Sequence, residues 1–245
     1  IAVDEFFNPH RQLAANEHCQ FLNIWTPAIH DERKRPVMLW LHGGAFTDGS
    51  SIEPLYHGRN LSQKGDLVFV SLNHRLGAGG FLDLSVFGER FQHSANCGIA
   101  DLVAALEWIQ ANIVHFGGDP NNVTILGQSG GGAKVLTLMA TPTAKGLFHK
   151  AIVQSGAAPN LGMTLTDSSI SKRVGKLTAD KLGLSAENIA TIQELPYEEV
   201  AAAANEARRH LRASSGVRHT WGPVCNEYIP VHPVGETFAE QSRHI

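Results

Sequence analysis

Cysteine is scarce in this 245-residue sequence: Cys19, Cys97 and Cys225 are the three present. Three thiols build neither a disulfide framework nor a two-pair zinc site, and the odd count leaves at least one free or paired outside the chain. The plain reading of each is a small buried apolar residue. An excess of charge of one sign is lacking too. Lys and Arg number 20 against 23 Asp and Glu, a formal net charge of −3. That gives no electrostatic footprint for nucleic acid or for an anionic membrane. Long apolar runs are missing. The longest, Val37 to Leu41 and Leu67 to Val70, fall far short of the ~20 residues that cross a bilayer. The first residues carry charge and polarity where a signal peptide has an apolar core. No repeat or low-complexity tract stands out, and no His-x-x-x-His pair sits on a helix, which argues against a catalytic zinc.

What remains is globular composition, with 43% hydrophobic and 18% charged residues. The length suits one large domain or two small ones. A chain this long buries roughly 70% of its unfolded surface, so it needs no metal or disulfide to fold.

Strand-like and helix-like patterns alternate through the first 160 residues. Phe21 to Trp25 ends at Thr26-Pro27 and reads as a strand. Val37 to Leu41, Leu67 to Leu72, Val123 to Leu126 and Ala151 to Val153 are short continuous apolar runs, as expected of strands buried on both faces of a mostly parallel sheet. Ile99, Leu102, Val103, Leu106, Ile109 and Ile113 follow a helical stripe, which Gly117-Gly118-Asp119-Pro120 should stop. A second helix should start near Ser129. The pattern predicts an α/β fold with a mostly parallel central sheet flanked by helices. After Gly162 the character changes. Residues 167–212 read as short Ala-rich helices joined by Gly183 and Pro196. The expected layout is a sheet core over 1–160, a helical cap-like insertion over 161–215 and a return to the core over 216–245, with Trp221 to Val224 as loop and strand.

The strongest local feature is Val123-Thr124-Ile125-Leu126-Gly127-Gln128-Ser129-Gly130-Gly131-Gly132. It reads as a strand, a G-x-S-x-G turn and a helix start. The turn must be sharp to hold a serine out at the carboxyl edge of the sheet, and side chains at Gly127 and Gly131 would clash there. The following helix start brings N–H groups and a positive dipole end beside the serine. The competing reading is an ordinary N-cap serine before a glycine-rich helix. A second motif weighs against it: Trp40-Leu41-His42-Gly43-Gly44-Ala45-Phe46, directly after an earlier strand, with Gly44 placed 85 residues before Ser129. A nucleophilic serine needs N–H donors aimed at the developing oxyanion, and a glycine-rich loop after an early strand supplies them in this architecture.

With these residues in view, the sequence resembles the type B carboxylesterases, the cholinesterase/carboxylesterase branch of the α/β-hydrolases, with a leaning toward the bacterial para-nitrobenzyl-esterase-like members. The matching stretches are Glu17 to Pro27, Trp40 to Phe46, Asn73 to Gly77, Gly98 to Asp101, Asn112 to Gly132, Gly146 to Gly156, Gly222 to Val224 and Ile229-Pro230. They cover most of the chain. The resemblance implies that Ser129 is the nucleophile and that Gly44, Ala45 and Gly130 carry the oxyanion-hole amides. It implies a serine carboxylic-ester hydrolase working through an acyl-enzyme, on a small-molecule ester, with no cofactor and no metal. Two departures stand out. Glu17-His18-Cys19-Gln20 replaces the usual Glu-Asp-Cys-Leu, which puts a polar network there in question. Gln128-Ser129-Gly130-Gly131 replaces the frequent Glu-Ser-Ala-Gly, and Gly130 still offers its N–H.

Family members extend well beyond both ends of these stretches, and their acid and histidine follow the serine in the order Ser, Asp/Glu, His. The resemblance therefore places the acid, the histidine and the partner of Cys19 outside residues 1–245, and makes the C-terminal remainder of the domain the expected partner. Within the chain, Glu227 or Glu236 as acid and His219, His232 or His244 as base are the candidates, read as surface-loop residues. His10, His18, His30 and His57 read as surface residues too, and by resemblance His42 shapes the glycine loop. Arg75 and Asp101 are expected as a buried ion pair, and Leu106, Trp108 and Ile109 as core. Phe46 and Leu82 line an acyl pocket or pack in the core. Two other readings stay open: a non-catalytic adhesion module, and an amide or carbamate hydrolase on the same scaffold.

Overall fold

The short apolar runs pair into one five-stranded sheet. The structure is a computed structural model and describes residues 16–29, 31–157, 165–243 and 245. The strands are β1 (Leu22–Trp25), β2 (Arg35–Leu41), β3 (Val68–Leu72), β4 (Gly118–Gln128) and β5 (Lys150–Gln154), in the order β1-β3-β2-β4-β5. β1 runs antiparallel to β3, and every other pairing is parallel. The fold is that of an α/β-hydrolase, a mixed sheet flanked by helices.

Alternate residues of the central strands bury completely. Val37 and Leu39 of β2, Val68 and Val70 of β3, and Val123 and Ile125 of β4 are all 0% exposed. Each such side chain contributes roughly 1.5–3 kcal/mol by leaving water. Helix α1 (Arg59–Gly65) and the short α2 (Gly77–Phe81) flank β3 in sequence. The predicted stripe forms α3 (Cys97–Asn112), whose Ile99, Leu102, Leu106 and Ile109 lie in the core. Residues 89–116 together have the length and apolarity of a membrane-spanning segment. Three-10 turns break that stretch, and its apolar stripe is the one that packs on the sheet.

After α3, the three-10 turn Ile113–Phe116 ends at Gly117 in the left-handed conformation, with φ 75°. Gly118 to Pro120 were expected in the stop signal but belong to β4. Arg35 pairs with Gly118, and the register then shifts so that Val37 meets Val123. The extra residues between those pairs absorb Asp119 and Pro120 as an irregularity in the ladder.

Helix α4 (Gly130–Met139) follows β4 directly. The later region forms two helices longer than expected, α5 (Ser168–Lys181) and α6 (Tyr197–Ser215), which pack on each other. Asp167 caps α5 by accepting the Ser169 and Ile170 N–H groups at 2.8 and 3.1 Å. Gly216 ends α6 in the left-handed region. The change of character near 160 falls largely outside the described residues. Trp221 to Val224 is a correction: it is extended chain and not a strand. The Val224 backbone bonds to a side chain, the Asn96 amide accepting from its N–H at 2.9 Å and donating to its carbonyl at 3.1 Å, while the Pro223 carbonyl accepts from the Thr166 N–H at 2.8 Å. Beyond it lies the one-turn helix α7 (Phe238–Gln241).

The topology positions the site. The chain turns from β2 to β3 on one side, then crosses back to place β4 on the other side of β2. Leu41 at the end of β2 sits opposite Gly127 at the end of β4. The loops leaving these strands therefore emerge side by side, where the strand order reverses and open α/β sheets bind ligands.

Candidate active site

Ser129 occupies the corner between β4 and α4 with φ 58° and ψ −120°. Non-glycine residues avoid that region at a cost of about 1–3 kcal/mol, and such strain persists where the surroundings impose it. The impositions are specific. The Ser129 N–H donates to the Gln154 carbonyl of β5 at 2.8 Å, and the Ser129 carbonyl accepts from the Ala133 N–H at 3.1 Å. A Cβ on Gly131 would lie 2.1 Å from the Leu41 carbonyl oxygen, and one on Gly127 2.4 Å from the Gly131 carbonyl carbon. Backbone thus meets backbone on both sides of the turn. An ordinary N-cap serine has extended dihedrals and accepts from the helix with its hydroxyl. Ser129 does neither, so that reading falls.

The neighbouring loop folds back on itself. Gly44 takes φ 83° and Ala45 φ 51°, and the Asp48 N–H donates to the Gly44 carbonyl at 3.0 Å. The Gly77 N–H donates to the Phe46 carbonyl at 2.9 Å. Ala45 is exposed and Gly44 half-exposed. The loop rests on the start of α4, where a Cβ on Gly130 would meet the Ala45 nitrogen and Cα, each at 2.3 Å. Gly44, Ala45, Ser129 and Gly130, far apart in sequence, are thereby brought to one place.

Three titratable side chains lie buried behind this loop. His42 is 1% exposed and His74 2%, and their rings stack with centroids 5.3 Å apart. Lys134 of α4 is 0% exposed, and its Nζ donates to the His42 carbonyl at 2.8 Å. Burial pushes the Lys134 ammonium down to about 7. Burial first, then the Lys134 charge, holds both imidazoles well below their ordinary range. His42 is therefore neutral, with Nδ1 2.8 Å from the Gly43 carbonyl, which makes Nδ1 the protonated nitrogen.

The remaining candidates scatter. Glu227 and Glu236 are exposed. His232 is half-buried, and its Nδ1 accepts from the Val234 N–H at 3.3 Å. His219 is a correction. It is buried edge-on against Trp221, and burial, with the Arg208 guanidinium second, pushes it down to about 4. Among the described residues no histidine is hydrogen-bonded to Ser129. His18 and His57 are exposed as expected, while His10, His30 and His244 lie outside the described residues. Among the described residues no three His, Cys, Asp or Glu side chains cluster to hold a metal ion.

The Arg75–Asp101 pair forms with Nη2 to Oδ1 at 2.7 Å. It is half-buried, since Arg75 keeps 39% of its side chain exposed. The Gln20 amide donates to the same Asp101 oxygen at 2.7 Å, so the departure from the family motif adds a polar partner. Leu106 and Ile109 are core, but Trp108 is 36% exposed and leans on Phe116. Phe46 and Leu82 are core residues, Phe46 packing edge-on against Phe81. Cys225 is exposed, while Cys19 and Cys97 are half-buried, and all three are free thiols. Lys134, His74 and Asn96 were missed as components of this region. A buried lysine at helical spacing and a lone loop asparagine carry no signal in sequence.

The fold and the serine corner together define an α/β-hydrolase frame. A family model described as "Carboxylesterase family" matches residues 2–244, and the chain belongs to that family. It is 49% identical over 143 residues to para-nitrobenzyl esterase of Bacillus subtilis (strain 168), a match covering 58% of this chain and 29% of the relative. It is 39% identical over 205 residues to liver carboxylesterase of Sus scrofa, covering 82% and 35%. Among solved structures, an esterase from Clostridium hathewayi that hydrolyses aliphatic aromatic polyesters superposes with a TM-score of 0.81 at 44% identity, covering 94% of this chain and 44% of that one. A carboxylesterase of Geobacillus stearothermophilus gives 0.80 at 38% identity, covering 94% and 46%. The chain thus spans about a third of the length of these curated relatives and under half that of the solved ones.

Proposed function

We propose that the chain is the nucleophile-bearing part of a serine carboxylic-ester hydrolase acting through an acyl-enzyme intermediate on a small-molecule ester. The observation that carries this reading is the strained Ser129 corner with the Ala45 backbone packed on Gly130. Ser129 Oγ attacks the ester carbonyl carbon. The amides of Gly44, Ala45 and Gly130 receive the charge that develops on the carbonyl oxygen, at about 3–4 kcal/mol per donor. A histidine oriented by a carboxylate takes the hydroxyl proton and delivers it to the leaving alcohol, and water then repeats the cycle to release the acid. This reading assigns the carboxylate and the histidine to residues beyond these 245, in keeping with the absence of a histidine on Ser129 among the described residues and with the length of the relatives.

The test is a fluorophosphonate probe on the full-length protein beside its Ser129→Ala variant. Covalent labelling and ester turnover that both vanish in the variant support the reading. An unlabelled but folded wild-type protein would leave a binding module on the same scaffold. Turnover retained by the variant would move the nucleophile elsewhere, Ser155 being the next candidate.

A further inference from the structure

We propose that Lys134 is the positioning residue that fixes the loop bearing the Gly44 and Ala45 amides against the helix bearing Ser129 and Gly130. The proposal rests on the reading of Ser129 as nucleophile. It starts from helix geometry. Lys134 follows Gly130 by four residues on α4, so the two stand on one face of the helix, a turn apart. Both meet the same loop. Gly130 touches it through the Ala45 backbone. Lys134 touches it at both ends, donating to the His42 carbonyl at 2.8 Å and lying 5.9 Å from the centre of the Phe46 ring. The stretch between those two contacts is Gly43-Gly44-Ala45.

The first contact fixes a peptide plane. The His42 carbonyl and the Gly43 N–H belong to one rigid unit, and two glycines follow it. Glycine has little preference among backbone conformations, so this loop reorients easily unless something outside it holds the carbonyl. An oxyanion site works because its dipoles are aimed before the reaction begins. Lys134 supplies that aim from the element that also carries the nucleophile, so loop and serine keep a common frame.

Stability does not account for a lysine here. Lys134 is 0% exposed and makes no ion pair among the described residues. A buried ammonium without a carboxylate is costly, and an apolar side chain of similar volume is the stabilising choice at such a place. The groups facing it are His42 and His74, both neutral, and the Phe46 ring.

The experiment uses the full-length protein and Lys134→Met, which keeps an unbranched side chain one atom shorter and removes its donors. The expected result is a kcat for a soluble ester at least tenfold lower, a KM within twofold of wild type and a thermal midpoint no lower. A trifluoromethyl ketone, to which Ser129 Oγ adds reversibly to give a tetrahedral oxyanion, should bind more weakly by the same factor. Unchanged kcat and ketone affinity in a folded Lys134→Met protein overturn the proposal, as does a change confined to KM. If Lys134→Met does not fold, Lys134→Gln carries the same measurements, and failure of both to fold assigns Lys134 to stability and overturns the proposal. A wild-type protein no more active than Ser129→Ala brings down the esterase reading and this one with it. An active wild type with an indifferent Lys134→Met removes this one alone.

Discussion

Gly130 and Ala45 approach each other so closely that a Cβ on Gly130 would sit 2.3 Å from the Ala45 nitrogen. The contact couples the residue after Ser129, the proposed nucleophile, to the loop proposed to supply the other two oxyanion amides. Gly130→Val, bulkier than the Ala that the family frequently carries at this position, should force that loop away from α4 and lower ester turnover at least tenfold while the fold survives. Steady-state kinetics with a thermal melt would check it. A wild-type kcat would mean that the loop yields without losing its aim.

Folding should respond to pH through Lys134. Its ammonium titrates near 7 in the fold because of burial, against 10.5 ordinarily. Between those values the unfolded chain binds the extra proton, so the stability of the wild type rises with pH there. Lys134→Met lacks this dependence. Its stability advantage over wild type should be largest below pH 7 and shrink steadily toward pH 9.5. His42 and His74 are already neutral across that window, and Tyr56, which burial raises to about 12, limits it from above. Urea unfolding at intervals from pH 6 to 9.5 gives the difference directly; a constant difference would contradict the burial of the charge.

Arg35 predicts a dependence of the same sign, in acid. It is 4% exposed and is held by Asp31 and Asp66. The hydrogen bond from Arg35 lowers the Asp31 carboxyl to about 2. A carboxylate depressed in the fold stabilises it above its unfolded value near 3.8 and loses that effect as pH falls toward 2. Asp31→Asn should therefore be less stable than wild type at pH 7, with the gap closing between pH 4 and 2. A gap that persists at pH 2 would show that charge is not its source.

The sheet core gives a prediction of magnitude. Ile125 lies at the centre of β4 and is 0% exposed. Ile125→Ala should cost about 2–5 kcal/mol through lost burial and the cavity left behind. Denaturant midpoints would measure it, and a loss under 1 kcal/mol would mean that the surrounding strands collapse into the space.

Much of this arrangement could be read from sequence, for definite reasons. Short apolar runs such as Val37 to Leu41 and Val123 to Leu126 do mark the strands, but only β3 is buried on both faces along its length; β2 alternates buried residues with more exposed ones, and β5, read as buried, leaves Ile152 42% exposed. The serine corner was legible because Gly127 and Gly131 are required by backbone contact. Gly118 to Pro120 misled because a turn-rich stretch can still pair when the ladder carries an irregularity. Trp221 to Val224 misled because Val224 finds its backbone partner in the Asn96 side chain, 128 residues earlier, and not in a neighbouring strand. Lys134 and His219 were invisible for another reason. Polar residues read as solvated until a distant element covers them, and local pattern does not record that element.

The first turn of α4 meets its surroundings with almost no side chains. Gly131 faces the Leu41 carbonyl, and Cβ atoms on Gly132 and Gly156 would each fall within 3 Å of the other's backbone. Where a glycine faces a side chain, as Gly79 faces the Tyr197 ring, a substitution can be absorbed by that neighbour changing rotamer. Around Ser129 there is no rotamer to change, so error cannot be shared out locally and passes into the strands themselves. Variation that retunes the protein is thereby pushed outward, to segments whose side chains can still move.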